Sequence, residues 1–202
     1  MYTFLDRPSI EGHLQITKKY LDGTEDIVFD DHNIIVSGMG VGLSLLFSML
    51  GSNSITDYQM DRFQVGVSGH TAIETSATYQ LSGELSSISE YGGNNIGLLV
   101  ASATPIKDGI TTTIGEWFGL IPFHNVTRID TRSVRYTIIL DEDTCNDLQR
   151  GGVDVNLNEI GLFMKNPVGL ASDNPLLVAY RVFSNIHKTS DFTLIFRWTL
   201  RF

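Results

Sequence analysis

The sequence predicts an all-β protein, an antiparallel β-sandwich or jelly-roll-like fold with one buried helix near residues 38–50. Apolar residues recur at strict period two over residues 192–202, which is the period of a half-buried strand. Shorter alternating segments recur along the chain. No regular exchange of strands and helices is present, so a parallel α/β sheet is not expected.

The chain has 202 residues, of which 42 % are hydrophobic and 18 % are charged. This balance supplies a core and is the opposite of that of disordered chains. No proline- or glycine-rich linker divides the chain, so a single domain is predicted over residues 12–202. Residues 1–11 are predicted to form an N-terminal arm that orders only on assembly, because Pro8 lies there and no periodicity precedes Gly12.

Two strands joined by a tight turn are predicted at the start of the domain. Leu14 and Ile16 share one face of the first strand. Asp22 and Gly23 form a strong hairpin signal, and residues 27–29 supply the return strand.

A helix is predicted after this hairpin, because the apolar residues change from a spacing of two to a helical spacing. The residues with that spacing are Leu43, Leu46, Phe47 and Leu50. Ser37 is expected as the N-cap and Gly51 as the residue after the helix. Since the segment is apolar almost all round, we expect the helix to be buried.

The rest of the chain is predicted to be strands and one long connection. The connection covers residues 68–95, which are rich in Ser, Thr, Gly and Glu. The last strand reaches the final residue, so the C-terminus is expected to lie within a sheet. The predicted strands are residues 63–67, 97–103, 115–123, 134–140, 157–164, 176–183 and 192–202.

Charge and cysteine content exclude several classes of function. The formal net charge is −9, whereas a protein that binds nucleic acid through phosphates needs a basic face. The single cysteine, Cys145, allows no internal disulfide and suits folding in a reducing cytoplasm. No signal peptide is recognised, and the most apolar stretch, residues 39–50, is shorter than the about 20 residues that a membrane span needs.

Two segments have partial likeness to binding loops. Gly38, Gly40 and Gly42 precede the predicted helix, but the third glycine falls one residue early for the dinucleotide fingerprint. We expect these glycines to let the helix start close to a sheet. Residues 141–147 are acidic but lack the glycine and glutamate of a calcium-binding EF-hand, so an acidic turn closing a strand is predicted. No cofactor or metal is assigned.

No catalytic residue is assigned, and the protein is predicted not to be an enzyme. No histidine pair has the i, i+4 spacing of a helical zinc motif, and one cysteine cannot complete a cysteine-rich site. No histidine is associated with a G-x-S-x-G nucleophile motif. A small hydrolase would require a histidine, a nucleophile and an acid to converge in the fold. The histidines are His13, His32, His70, His124 and His187.

Aromatic residues give an alternative function, the binding of a glycan or receptor by a β-sandwich. An exposed aromatic cluster flanked by Asp and Asn favours that function. Aromatics that are buried in the core favour a scaffold, and most of these residues fall within predicted strands, where core packing is the default. They are Trp117, Phe118, Phe123, Tyr180, Phe183 and Trp198.

The order of segments resembles a group of small bacteriophage virion proteins encoded among tail and neck genes. Each motif alone is mostly strand and turn chemistry, whereas their joint order spans nearly the whole chain. The closing motif is matched by Ala179, Arg181, Phe183, Ile186, Lys188, Thr189, Phe192, Leu194, Trp198, Thr199 and Phe202. The earlier matches are residues 12–17, 22–23, 33–38, 63–69, 81–85 and 157–163.

The resemblance implies a non-enzymatic structural component of a phage particle, made in the host bacterial cytoplasm and located in the virion. It implies contacts with other virion proteins and with copies of the same chain, and no direct contact with nucleic acid or membrane. A place in the tail, baseplate or neck is favoured, and a decoration or cement protein of the capsid is the alternative within this class. The shared residues look structural, so the resemblance assigns no active site.

Overall fold

The computed structural model describes residues 10–48, 54–72, 74–85, 100–103, 106–107, 110–111, 116–166 and 175–202. These residues contain one α-helix and fourteen strands, together with short 3₁₀ turns that include Ile55–Tyr58, Gly69–Thr71 and Phe123–Asn125. In chain order the elements are β1 (Glu11–Tyr20), β2 (Glu25–Ile35), α1 (Ser37–Phe47), β3 (Met60–Gly66), β4 (Val100–Ala103), β5 (Ile106–Lys107), β6 (Ile110–Thr111), β7 (Glu116–Leu120), β8 (Val126–Arg128), β9 (Ser133–Leu140), β10 (Gln149–Arg150), β11 (Val153–Asp154), β12 (Leu157–Met164), β13 (Leu176–Ile186) and β14 (Phe192–Arg201).

Ten of the strands form one antiparallel sheet, in the order β4-β7-β3-β12-β13-β2-β1-β14-β9-β8. The all-β class and the single helix of the sequence prediction are therefore confirmed. The jelly roll is not confirmed, because hydrogen bonds join the β4-β7-β3-β12-β13 half and the β2-β1-β14-β9-β8 half into one sheet. The two halves meet at the end of β2, where Ile34 pairs with Tyr180 and Ile35 with Ala179.

The sheet curls, so that strands from its two halves meet over a common core. The hydroxyl of Tyr136, on β9, donates to the sulfur of Met60, on β3, at 3.5 Å. The core contains residues from both halves, including Leu14, Phe63 and Trp198. A sheet of this size commonly curls or splits to bury its apolar face.

The N-terminal hairpin forms where it was predicted, with an irregular register. Thr17 pairs with Ile27, whereas Ile16 pairs with Phe29, so Val28 is an additional residue in β2. Such a bulge shifts every later pair by one residue. The predicted arm, residues 1–11, extends one residue too far, because Glu11 already belongs to β1 and pairs with Arg201. Residues 1–9 lie outside the described residues.

The helix is present, but its expected burial is wrong. Gly38, Met39 and Gly42 are buried, whereas Phe47 is 85 % exposed. The N-cap is Val36 rather than the predicted Ser37, and it makes no side-chain cap hydrogen bond. The helix packs on β13 along one side only, which leaves the remaining apolar side chains half-buried. The predicted residues Leu50 and Gly51 lie outside the described residues.

The C-terminal strand pairs with β1 on one side and with β9 on the other. Its alternating apolar residues from Phe192 to Leu200 are buried, as predicted. The strand ends at Arg201, and Phe202 is 42 % exposed, so the prediction that the final residue continues the buried face is wrong.

A second, smaller cluster lies on the opposite face of β12 and β13. In β12, Leu162 and Met164 belong to the main core, whereas Phe163 belongs to the second cluster. Its other buried members include Leu81 and Phe118. Both faces of β12 are therefore buried. Residues 68–72 and 74–85 of the predicted connection are described. They contain the 3₁₀ turn Gly69–Thr71, and Glu84 forms a bridge with Gly66 of β3.

Candidate functional site

A buried carboxylate holds the connection over the second cluster. Oε1 of Glu159 accepts from the backbone N–H groups of Ser68 at 3.3 Å and Gly83 at 2.7 Å. Oε2 accepts from the Ser82 N–H at 2.8 Å and from the Tyr180 hydroxyl at 2.7 Å. Glu159 is fully buried, and its lone pairs are used by protein donors. A buried charge is stable only when it is satisfied in this way.

Tyr180 is the side-chain member of this cluster. Burial and the neighbouring Glu159 carboxylate raise the pKa of the Tyr180 phenol well above its usual value, so the phenol acts as a hydrogen-bond donor. Asn158 supports the same connection, since its Oδ1 accepts from the Gly69 N–H at 2.7 Å and its Nδ2 donates to Asn185 at 3.0 Å. The motif at residues 157–163 thus supplies structural anchors, and its side chains offer no open catalytic group.

The acidic segment 141–147 forms a turn organised by a buried lysine. Nζ of Lys188 donates to Oδ1 of Asn146 at 2.8 Å and to the backbone oxygen of Thr189 at 2.8 Å. Burial lowers the pKa of Lys188, and nearby acidic side chains oppose that shift. Oε1 of Glu142 accepts from the Thr193 hydroxyl at 2.9 Å. Within the described ranges, no three His, Cys, Asp or Glu side chains stand close enough to hold a metal ion.

Two histidines that are distant in sequence become neighbours across the β1–β2 hairpin. His13 pairs with His32 in the sheet, and their ring centroids are 5.9 Å apart. Nε2 of His13 lies 2.8 Å from Oδ1 of Asp30. This pair could not be predicted from the sequence, because the bulge at Val28 sets the register. Nδ1 of His70 lies 3.5 Å from Nδ2 of Asn158.

The glycines at the start of α1 allow close packing, as the sequence analysis predicted. A Cβ on Gly38 would stand 2.0 Å from the backbone oxygen of Leu177, and one on Gly42 would stand 2.3 Å from the sulfur of Met164. Nothing lies within 4 Å of the position that a Cβ on Gly40 would take. Two of the three glycines are therefore used to bring the helix against β12 and β13.

Most of the aromatics considered for glycan binding lie inside the fold. Phe118, Tyr180, Phe183 and Trp198 are buried, so their faces are not available to a sugar. Phe123 is 85 % exposed. The side chain of Trp117 is outside what the structure describes.

An apolar groove of about 590 Å³ opens at the surface between α1, two of the 3₁₀ turns and the strands β3, β8 and β9. Its volume is within the usual range for binding sites, roughly 300–1,000 Å³. Tyr136 lines the groove, and burial raises the pKa of its phenol to about 12. Side chains that line the groove include Leu46, Ile55, Phe123, Val126, Tyr136 and Phe202.

Large apolar side chains stand exposed at the edge of this groove. The exposed fractions are 85 % for Phe123, 69 % for Ile55 and 42 % for Phe202. Phe47, one helical turn after the lining residue Leu43, is 85 % exposed. Large exposed apolar side chains grouped around a groove are typical of interaction sites. We name the groove and these four side chains the groove face.

The charged group at the groove is already paired. Oδ2 of Asp61 lies 3.0 Å from Nζ of Lys165, and its Oδ1 lies 3.2 Å from Nε of Arg62. The groove therefore presents mainly apolar side chains. The groove face could not be predicted from the sequence, because its residues come from separate segments and no local motif connects them.

Comparison with known proteins gives no match, whether to a family model, to a curated protein or to a solved structure. None of the helices in the described residues has the length and hydropathy needed to cross a membrane. Function is therefore inferred from the groove face and the order of the sequence motifs.

Proposed function

We propose that the protein is a non-enzymatic structural subunit of a bacteriophage particle, which assembles through protein–protein contacts in the tail, baseplate or neck. The observation that carries this proposal is the groove face, where Phe47, Ile55 and Phe123 are each more than two thirds exposed to solvent. Burial of such side chains against a partner is favourable by about 25 cal/mol per Å² of apolar surface.

The polar clusters support the same proposal. The Glu159 carboxylate and the Lys188 ammonium are both engaged by hydrogen bonds within the fold. Their geometry is that of groups that fix loops onto a sheet. The order of the motifs, which resembles that of phage virion proteins, agrees with a subunit whose recognisable residues serve the fold.

The partners that this proposal names are other virion proteins and copies of the same chain. A subunit present in many copies associates through symmetric or ring-forming contacts, in which one patch is used repeatedly. An apolar groove with a paired charge at its edge suits such contacts better than binding to the phosphates of nucleic acid. Decoration of the capsid surface is the alternative location within this class.

Quantitative mass spectrometry of purified phage particles tests the proposal. We expect the chain at a defined copy number: few copies for a neck, baseplate or fibre, and hundreds for a cover of the head or tail tube. Absence of the chain from purified particles would overturn the proposal.

A substitution then tests the face itself. Phe123→Ser is expected to reduce incorporation into particles, whereas Leu21→Ser is the matched control. Leu21 is 72 % exposed and directly follows β1, whose other end is Glu11. At about 3.3 Å per residue along the strand, Leu21 lies roughly 30 Å from Glu11. Equal losses for the two variants would show that the groove face is not the contact.

A further inference from the structure

The groove face combines a projecting aromatic side chain with an apolar hollow beside it. Phe123 is 85 % exposed and stands on the wall of the groove. Its 3₁₀ turn is anchored on both sides. The N–H of Ile121 donates to the backbone oxygen of Asp61 at 2.7 Å, and the N–H of Asn125 donates to the backbone oxygen of Pro122 at 2.8 Å. Because the backbone that carries Phe123 is already fixed, binding through this side chain costs little additional order.

The apolar area of the groove face is comparable with the centre of a stable dimer interface. Phe47 and Phe123 are 85 % exposed, and Phe202 is 42 % exposed. At roughly 200 Å² for a whole aromatic side chain, these three present about 400 Å² of apolar surface. Ile55 and the groove walls add to that area. A standard interface buries about 800 Å² on each partner, and its centre is more apolar than its rim.

The charge of the groove favours a second copy as the occupant. Each chain has a net charge of −9, so two copies repel each other unless they meet through surfaces without net charge. Asp61 is the only carboxylate among the described residues that line the groove, and Lys165 and Arg62 pair with it. A basic partner would instead be recognised by carboxylates that are not already paired. The groove face therefore lets two acidic copies approach without an unpaired like charge between them.

We propose that the groove face is the interface of a twofold symmetric homodimer, in which Phe123 of each copy inserts into the groove of the other. A twofold interface brings one patch against itself, so the projecting group and its receptor must lie on the same patch. Phe123 and the groove meet this requirement. The groove volume of about 590 Å³ is in the range that holds whole small-molecule ligands, so it has room for an aromatic ring. The inference rests on the proposed function, in that it takes the groove face as a contact surface and names the partner there.

Analytical ultracentrifugation of the purified full chain is the first test. We expect the dimer to be the main species at about 10 µM, because interfaces of standard size have dissociation constants in the micromolar range or below. Phe123→Asp should give a monomer, since it places a charge in an apolar contact. Leu21→Asp adds the same charge at a position that is 72 % exposed and should leave the dimer intact. A monomeric parent chain, or an equal effect of the two variants, would overturn the proposal.

A mixing experiment tests the exchange of Phe123 between copies. Phe123→Ser removes the inserting side chain and keeps the groove. Ile55→Asp keeps Phe123 and places an unpaired carboxylate at the groove, where an inserted ring would bury it. Both positions are exposed, so neither change touches the core. We expect each variant alone to associate more weakly than the parent chain.

The mixture of these two variants should associate more strongly than either variant alone, because Phe123 of one copy still meets the intact groove of the other. One variant is labelled with a fluorophore, so that sedimentation reports the mixed dimer. A mixture that associates no better than the separate variants would show that Phe123 does not enter the groove of a second copy.

These measurements use the purified chain, whereas the proposed function is tested on particles. A dimer that is absent from particles would remove the virion function alone. A monomeric chain that is found in particles would remove the homodimer and keep the virion function. If Phe123→Ser also reduced the incorporation of that monomeric chain, the occupant of the groove would be a different virion protein.

Discussion

The hydroxyl of Tyr180 donates to Oε2 of Glu159 at 2.7 Å, on the face of β12 and β13 that the connection covers. The same oxygen accepts from the N–H of Ser82, so one carboxylate oxygen holds a side chain and a loop together. This arrangement requires two acceptor atoms on residue 159. An amide in the same place supplies only one.

Glu159→Gln is therefore expected to destabilise the protein. The amide nitrogen would face at least one donor that the carboxylate accepted, and each buried unsatisfied group costs about 1–3 kcal/mol. Urea unfolding measures the change. Tyr180→Phe is the control, because it removes one donor and leaves the carboxylate bound to the backbone, so it should cost less. A loss for Glu159→Gln below that of Tyr180→Phe would contradict the acceptor argument.

Gly38→Ala is expected to destabilise the protein by about 1–3 kcal/mol, because its methyl group would overlap the backbone oxygen of Leu177. Gly40→Ala is the matched control on the same helix, and nothing lies near its added methyl. It should stabilise the helix by about 0.5–1 kcal/mol, as alanine replaces glycine in a helix. Thermal unfolding of both variants checks the prediction, and equal effects would show that α1 does not pack as described.

The buried phenol of Tyr136 predicts a loss of stability at high pH. Its pKa rises from 10.0 to about 12 on folding, so between these values the unfolded chain has released a proton that the folded chain keeps. The contribution is complete below pH 10 and declines as the pH rises towards 12, at up to about 1.4 kcal/mol per pH unit. Unfolding of Tyr136→Phe should show a shallower decline in this range. An unchanged slope would mean that Tyr136 is not buried.

Asn146→Ala is expected to cost about 1–3 kcal/mol, because the buried ammonium of Lys188 loses one of its two oxygen acceptors. Asp143→Ala, in the same turn but exposed, should stay within about 0.5 kcal/mol of the parent protein. Denaturant unfolding at neutral pH distinguishes the two variants. Similar values for both would mean that the turn is held by something other than Lys188.

The elements with strong local patterns could be predicted from the sequence. The alternation that ends at Leu200 identifies a strand with one buried face, and the spacing from Leu43 to Phe47 identifies a helix. The burial of that helix was predicted wrongly, because periodicity does not say how much of an apolar surface the rest of the fold covers. Phe47 has the apolar character of a core residue and is exposed.

The candidate site could not be predicted, because it depends on contacts between distant segments. Phe202 and Ile55 meet at the groove only after the sheet has curled. The pair His13–His32 depends on one extra residue in β2, and the turn residues alone do not encode that bulge. The pattern around Glu159 could be recognised in the sequence, but its role depends on the backbone N–H groups of Ser68 and Gly83, which are distant in sequence.

The pairing of β1 with β14 has a consequence for how the protein is made. β1 is synthesised long before β14, with which it pairs along its whole length, so the sheet cannot close until β14 has been made. Contacts of such long sequence separation make folding slow, in the range of milliseconds to seconds for comparable β proteins. Until then β1 offers an unpaired edge to other chains, so the incomplete sheet is prone to aggregation during that interval.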